Sequence, residues 1–128
     1  MRIEVFRWLG IMVAGAAGAA ARYVLSGAIQ RLFASEFPWG TWLVNITGCF
    51  LFGVVWSLAM DRMVIPPAWR TVLLVGFLGS FTTFSTFVYE SEQLLEHAQW
   101  GAALLNMAGE LAGGLAAYAL GVGLARWI

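Results

Sequence analysis

Apolar residues run along the chain in four long blocks, separated by three short polar breaks. The blocks cover about residues 8–33, 39–60, 68–93 and 101–128. Each is long enough to cross a bilayer, which takes about 20 apolar residues in a helix. The breaks are SEFPW (Ser35–Trp39), DRMVIPPAWR (Asp61–Arg70) and EHAQW (Glu96–Trp100). Pro38 in the first break is a helix-start signal. Trp8, Trp39, Trp69, Trp100 and Trp127 fall near block ends, where interfacial indole rings belong. The pattern predicts an all-α integral membrane protein with four transmembrane helices in a single transmembrane domain. No span repeats another in sequence.

Composition narrows the reading. Of 128 residues, 61% are hydrophobic and 11% charged. A soluble domain carries about 25% charged residues, so too little polar surface is present to cover a globule in water. Disorder is excluded on the same ground. Seven Arg balance seven acids, and there is no Lys, so no basic patch offers itself to nucleic acid. A single Cys49 allows no internal disulfide, and with the lone His97 it makes a poor zinc site. The first residues resemble a signal peptide, but the apolar stretch continues past the Ala cluster. The segment therefore reads as span one. With four spans, both ends and the second break share one side, which carries Arg2, Arg7, Arg62, Arg70 and Arg126. The other side carries Arg31, plus Arg22 if it snorkels. The positive-inside rule places the Arg-rich side in the cytoplasm.

Three spans hold polar chemistry at depth. Span one opens with a run of Ala and Gly from Ala14 to Ala21, suited to close helix packing, and is then interrupted by Arg22. Span three contains GFLGSFTTFSTFVYESE, with Ser80, Thr82, Thr83, Ser85 and Thr86 interleaved with Phe81, Phe84 and Phe87. Gly and clustered Thr weaken a helix. A break there would free carbonyls for a cation, and amides and hydroxyls for an anion. Alternatively, each hydroxyl bonds the carbonyl one turn back. Phe84 and Phe87 are three apart and share a helical face. Their positive ring edges suit an anion, although a Phe pair also suits lipid or core. In span two, Asn45 needs a partner or a cavity, and Thr41 precedes it by one turn. In span four, Asn106 and Glu110 share a face. Glu110 suits a proton relay, a cation ligand or an ion pair with Arg22. Glu90 follows Phe87 by three residues and would edge a vestibule. No catalytic constellation is present, and the chain does not read as an enzyme.

GAAGAAARY around Arg22, WGTWLVNITG around Asn45 and GFLGSFTTFSTF in span three resemble the CrcB/Fluc family of small fluoride channels along essentially the whole chain. The resemblance implies an antiparallel, dual-topology homodimer in the bacterial inner membrane, with the third helix broken mid-membrane. It implies two narrow fluoride pathways along the subunit interface, each passing Phe84, Phe87, Asn45, Ser85 and Thr86. Arg22, Glu90 and Thr41 fall at the vestibule, and Asn106 and Glu110 at a possible span-four lining. The backbone carbonyls of Gly79 and Thr82 match those that hold a structural Na⁺ at the dimer interface. The partners so implied are fluoride, the lipid bilayer and a second copy of the chain.

Two features depart from that pattern. Family members place Tyr or Ser hydroxyls where this chain has Asn106, Glu110 and Gly114, and an ionised Glu on an anion path repels the ion. Glu110 must face away, be protonated or pair with Arg22. The Arg asymmetry is also stronger than dual insertion expects, which leaves an oriented pair of different subunits as the alternative assembly. The functional alternative is a small proton-coupled multidrug-type exporter of cations. Such exporters carry their acid in the first span, where this chain has Arg22.

Overall fold

The structure is a computed structural model that describes residues 2–128. It is all-helical, and four of its helical segments are long and apolar enough to cross a membrane. Helix α1 spans Arg2–Phe33 and α2 spans Trp39–Met60. The third segment is composite: α3 (Pro67–Thr71), a π-helical stretch (Val72–Leu78), α4 (Gly79–Phe81) and α5 (Phe84–Glu96). Helix α6 spans Trp100–Trp127. Helix α1 begins well before the expected start near Trp8. An Arg7–Glu4 pair at 2.6 Å supports the added turns at i,i+3 spacing. The third segment also reaches Glu96 rather than ending near residue 93.

The helices meet where glycines let backbones approach. A Cβ added at Gly53 would collide with the Tyr118 carbonyl, and one at Gly121 with the Phe50 carbonyl, so α2 and α6 touch through main chain. Gly109 and Gly113 instead receive the side chains of Trp42 and Ile46. Gly18 of α1 lies on the Phe77 carbonyl, within the widened π-helical turn. Only part of the Ala14–Ala21 run is used this way, since Ala16, Ala17 and Ala20 stay exposed. Val44, Leu74, Leu78 and Phe81 form the buried apolar cluster between α2 and the third segment.

The two ends of the bundle are tied separately. Arg62 donates to the Arg126 carbonyl at 3.2 Å, and Arg126 pairs with Asp61 at 3.2 Å. At the opposite end Gln99 donates to Glu36. The Gln30 amide folds the first break, donating to the Ser35 and Phe37 carbonyls at 2.6 and 3.1 Å and accepting from Gly40 N–H at 3.1 Å. Alternating spans therefore bring the second break and the C-terminus together, as the block pattern requires.

Candidate functional site

The site is built around a two-residue interruption in the third segment. Thr82 has ψ 156° and Thr83 has φ −146° and ψ 113°, so both are extended between α4 and α5. Extended backbone in an apolar environment leaves its polar groups unpaired unless something replaces the helical bonds. Asn45 of α2 does so. Its Oδ1 accepts from Thr83 N–H at 2.8 Å, and its Nδ2 donates to Thr83 O at 3.1 Å. A side-chain amide thus pairs with one residue as a neighbouring strand would. Thr83 also caps α5: its Oγ1 accepts from Thr86 N–H at 3.3 Å and donates to Thr86 Oγ1 at 2.9 Å.

The same interruption redirects the carbonyls of α4. In a continuous helix Thr83 N–H would reach Gly79 O, and Thr86 N–H would reach Thr82 O. Those donors go to Asn45 and to the Thr83 hydroxyl instead. Ser80 O accepts from Arg22 Nε at 3.0 Å. Thr82 Oγ1 donates back to Leu78 O at 3.0 Å, the one-turn bond expected of an isolated hydroxyl. Groups of three or more His, Cys, Asp or Glu able to hold a metal are absent among the described residues. The Gly79 and Thr82 carbonyls are left without those helical donors.

An inner cavity borders the interruption, and an outer one lies nearer the first break. The inner one, of about 260 Å³, is bordered by Asn45, Cys49, Thr82, Thr83, Phe84, Glu110 and Tyr118. Within it Asn45 Nδ2 lies 2.9 Å from Glu110 Oε2 and 3.2 Å from Oε1. Arg22 bonds Ser80 O instead, so the expected alternative of an Arg22–Glu110 pair is corrected. The acid finds an amide rather than a guanidinium because α1 packs on the third segment and on α2 but does not reach α6, whereas α6 packs on α2. The outer cavity, of about 550 Å³, lies by the first break and is bordered by Gln30, Thr41, Tyr89, Glu90 and His97 among others. Thr41 Oγ1 donates to Glu90 Oε1 at 2.7 Å, and Glu90 Oε2 is buried without a partner.

Phe84 and Phe87 are neighbours, with ring centroids 5.6 Å apart and planes at 46°. Their exposures differ sharply: Phe87 is 8% exposed and Phe84 is 74% exposed. Phe84 opens α5 and points outward from the chain, together with exposed Ser85. Asn106 is fully buried and donates to Ser91 Oγ at 3.0 Å, while its Oδ1 has no partner. Asn45, Thr83 and Glu110 thus converge on one point, Thr41 and Glu90 on a second, and Asn106 on a third.

Nothing in the sequence sets Thr83 apart from the other hydroxyls of its cluster, yet it is the residue that pairs with Asn45. Ser91 donates to Phe87 O at 2.8 Å and receives Asn106. The signal for Ser91 was weak, since a polar residue near a helix end reads as solvated. Tyr118, on the inner cavity, carried no signal beyond its place in an apolar span.

Comparison with known proteins agrees with the residues quoted above. The family model described as CrcB-like protein, Camphor Resistance (CrcB), matches residues 9–122. A protein of Solidesulfovibrio magneticus named fluoride-specific ion channel FluC is 50% identical over 118 residues, covering 92% of this chain and 94% of its own length. Another so named, from Nitrosococcus oceani, is 46% identical over 118 residues with the same coverage of both chains. A third, from Maridesulfovibrio salexigens, is 44% identical over 122 residues, covering 95% of this chain and 97% of its own. With its matching motifs distributed over the first three spans and the family model covering nearly all its length, the chain belongs to the CrcB family.

Proposed function

We propose that this chain is a fluoride-selective channel of the bacterial inner membrane, through which fluoride leaves the cytoplasm passively. The observation that carries the reading is the interruption at Thr82–Thr83, secured by Asn45 and bordered by Phe84, Ser85, Thr86 and Phe87. Relatives matched along 94% of their own length are named fluoride-specific ion channels. Fluoride is small and tightly hydrated, so a pore must replace its water with donors. Hydroxyls, an amide and the positive edges of aromatic rings provide these without a fixed cation that would trap the ion. Thr41, Glu90 and Arg22 form the approach, and Asn106 and Glu110 lie on the span-four side. A membrane potential of 100 mV supplies about 2.3 kcal/mol per charge, enough to expel an anion from a negative interior with no pump.

The working unit in this reading is two copies inserted in opposite orientations. Phe84 and Gly79 are exposed on one chain, and a second copy over that face would enclose the pathway. Gly79 and Thr82 carbonyls would hold a structural Na⁺ there. Their helical donors are committed elsewhere, and oxygen ligands suit a hard alkali cation. When bound, the ion would offset carbonyl dipoles at the interruption.

Liposomes containing the protein and loaded with potassium fluoride test the reading. With valinomycin present they discharge fluoride and retain chloride, and replacing Na⁺ by a larger organic cation slows the discharge. Retention of fluoride, or uptake of an organic cation driven by a pH gradient, would overturn it. A cysteine introduced at Met63 tests the assembly: labelling from both sides of the membrane supports opposite insertion, and labelling from one side refutes it.

A further inference from the structure

Asn45 has no free hydrogen-bonding group. One amide hydrogen points to Thr83 O, and the other faces the Glu110 carboxyl group. Its Oδ1 is taken by Thr83 N–H. Any anion that binds Asn45 must therefore displace Glu110, because displacing Thr83 would undo the interruption itself. Ionised Glu110 accepts that hydrogen and also repels an approaching anion. Protonated Glu110 is a neutral, weaker acceptor and carries an O–H that can donate to the anion.

We propose that Glu110 is a proton-controlled competitor for the Asn45 amide, so that the channel conducts fluoride faster as acidity rises. The proposal rests on the channel reading above. The proton comes from solution, forms an O–H on one carboxylate oxygen and returns to solution when the bond to Asn45 is remade. No proton need accompany each fluoride. Inward fluoride loading is greatest in acid surroundings, where the neutral acid HF crosses lipid, so the device opens the exit when it is needed. The titratable groups around Glu110 are Cys49 on α2, Tyr118 on α6 and Glu90 on α5. The cation of α1, Arg22, is engaged at Ser80 O.

Fluoride efflux from liposomes, measured from about pH 8 to about pH 5 with the leak of protein-free vesicles subtracted, tests this. The native chain is expected to speed up at least tenfold across that range, because above its pKa the neutral fraction of a carboxyl group rises about tenfold for each pH unit lost. Glu110→Gln keeps the size and the amide contact without a charge. It is expected to give a nearly flat profile and to exceed the native chain at the alkaline end. Glu110→Ser serves the same purpose if the glutamine variant does not fold. A native profile that is flat, or one that survives both substitutions, overturns the proposal and leaves the channel reading standing. A profile abolished by Glu90→Gln but kept by Glu110→Gln also overturns it, by assigning the control to Glu90. Absence of fluoride efflux from every variant and from the native chain at all pH values overturns both.

Discussion

Asn45 and Thr83 exchange two hydrogen bonds, N–H to Oδ1 at 2.8 Å and Nδ2–H to carbonyl at 3.1 Å. One side chain of the second span thereby satisfies both main-chain groups of the residue at which the third segment leaves helical geometry. The interruption is a paired element rather than a frayed one. It can hold a fixed shape in an apolar environment, where loose backbone is not tolerated.

Replacing Asn45 by Leu removes both bonds while filling the same space. Two main-chain groups then lose their partners, at a cost of about 1–3 kcal/mol each. The variant should unfold several degrees earlier in detergent and lose fluoride efflux. An unchanged melting temperature would show that the pairing contributes nothing.

The two Phe rings should separate stability from transport. Phe87→Ile creates a deficit in a buried position and should cost about 1–2 kcal/mol. Phe84→Ile, at an exposed position, should leave unfolding of the single chain nearly unchanged. Both should abolish fluoride efflux while the elution volume on size exclusion stays that of the native protein. Native efflux in both variants would remove the rings from the pathway.

Arg22 donates to Ser80 O at 3.0 Å, next to the interruption. Hydrogen bonds from charged donors contribute about 1.5–3 kcal/mol. Arg22→Gln should lower stability by about that amount and reduce efflux, as read by denaturant titration and flux on the same preparation. A loss of efflux with native stability would assign Arg22 to the ion's approach alone.

The backbone contact of α2 with α6 predicts that Gly53→Ala is poorly tolerated. The added methyl would meet the Tyr118 carbonyl, and overpacking of this kind costs about 1–3 kcal/mol. Gly123→Ala, with open space around it, should be neutral or slightly stabilising. Equal melting temperatures for the two would contradict the packing described.

The four spans were plain in the sequence because length and apolar content decide them. The hydroxyl cluster from Ser80 to Thr86 likewise announced a weak place in a helix. Which groups would meet there was not readable. Glu110 was open between facing away, being protonated and pairing with Arg22, and the last of these turned on α6 packing against α2 through Gly53 and Gly121. The π-helical turn from Val72 to Leu78 was equally hidden, as was the seating of Gly18 against the Phe77 carbonyl within it. Three-residue spacing placed Phe84 and Phe87 together correctly, yet it could not foresee that only Phe87 would be buried.

In the proposed reading the interrupted third segment passes fluoride and not the larger halide. The reversal potential of a bilayer containing the protein, with fluoride on one side and chloride on the other, tests it most directly. The expected potential is set by the fluoride gradient and unmoved by changes in chloride. A potential that follows chloride, or one that follows the proton gradient, would contradict it.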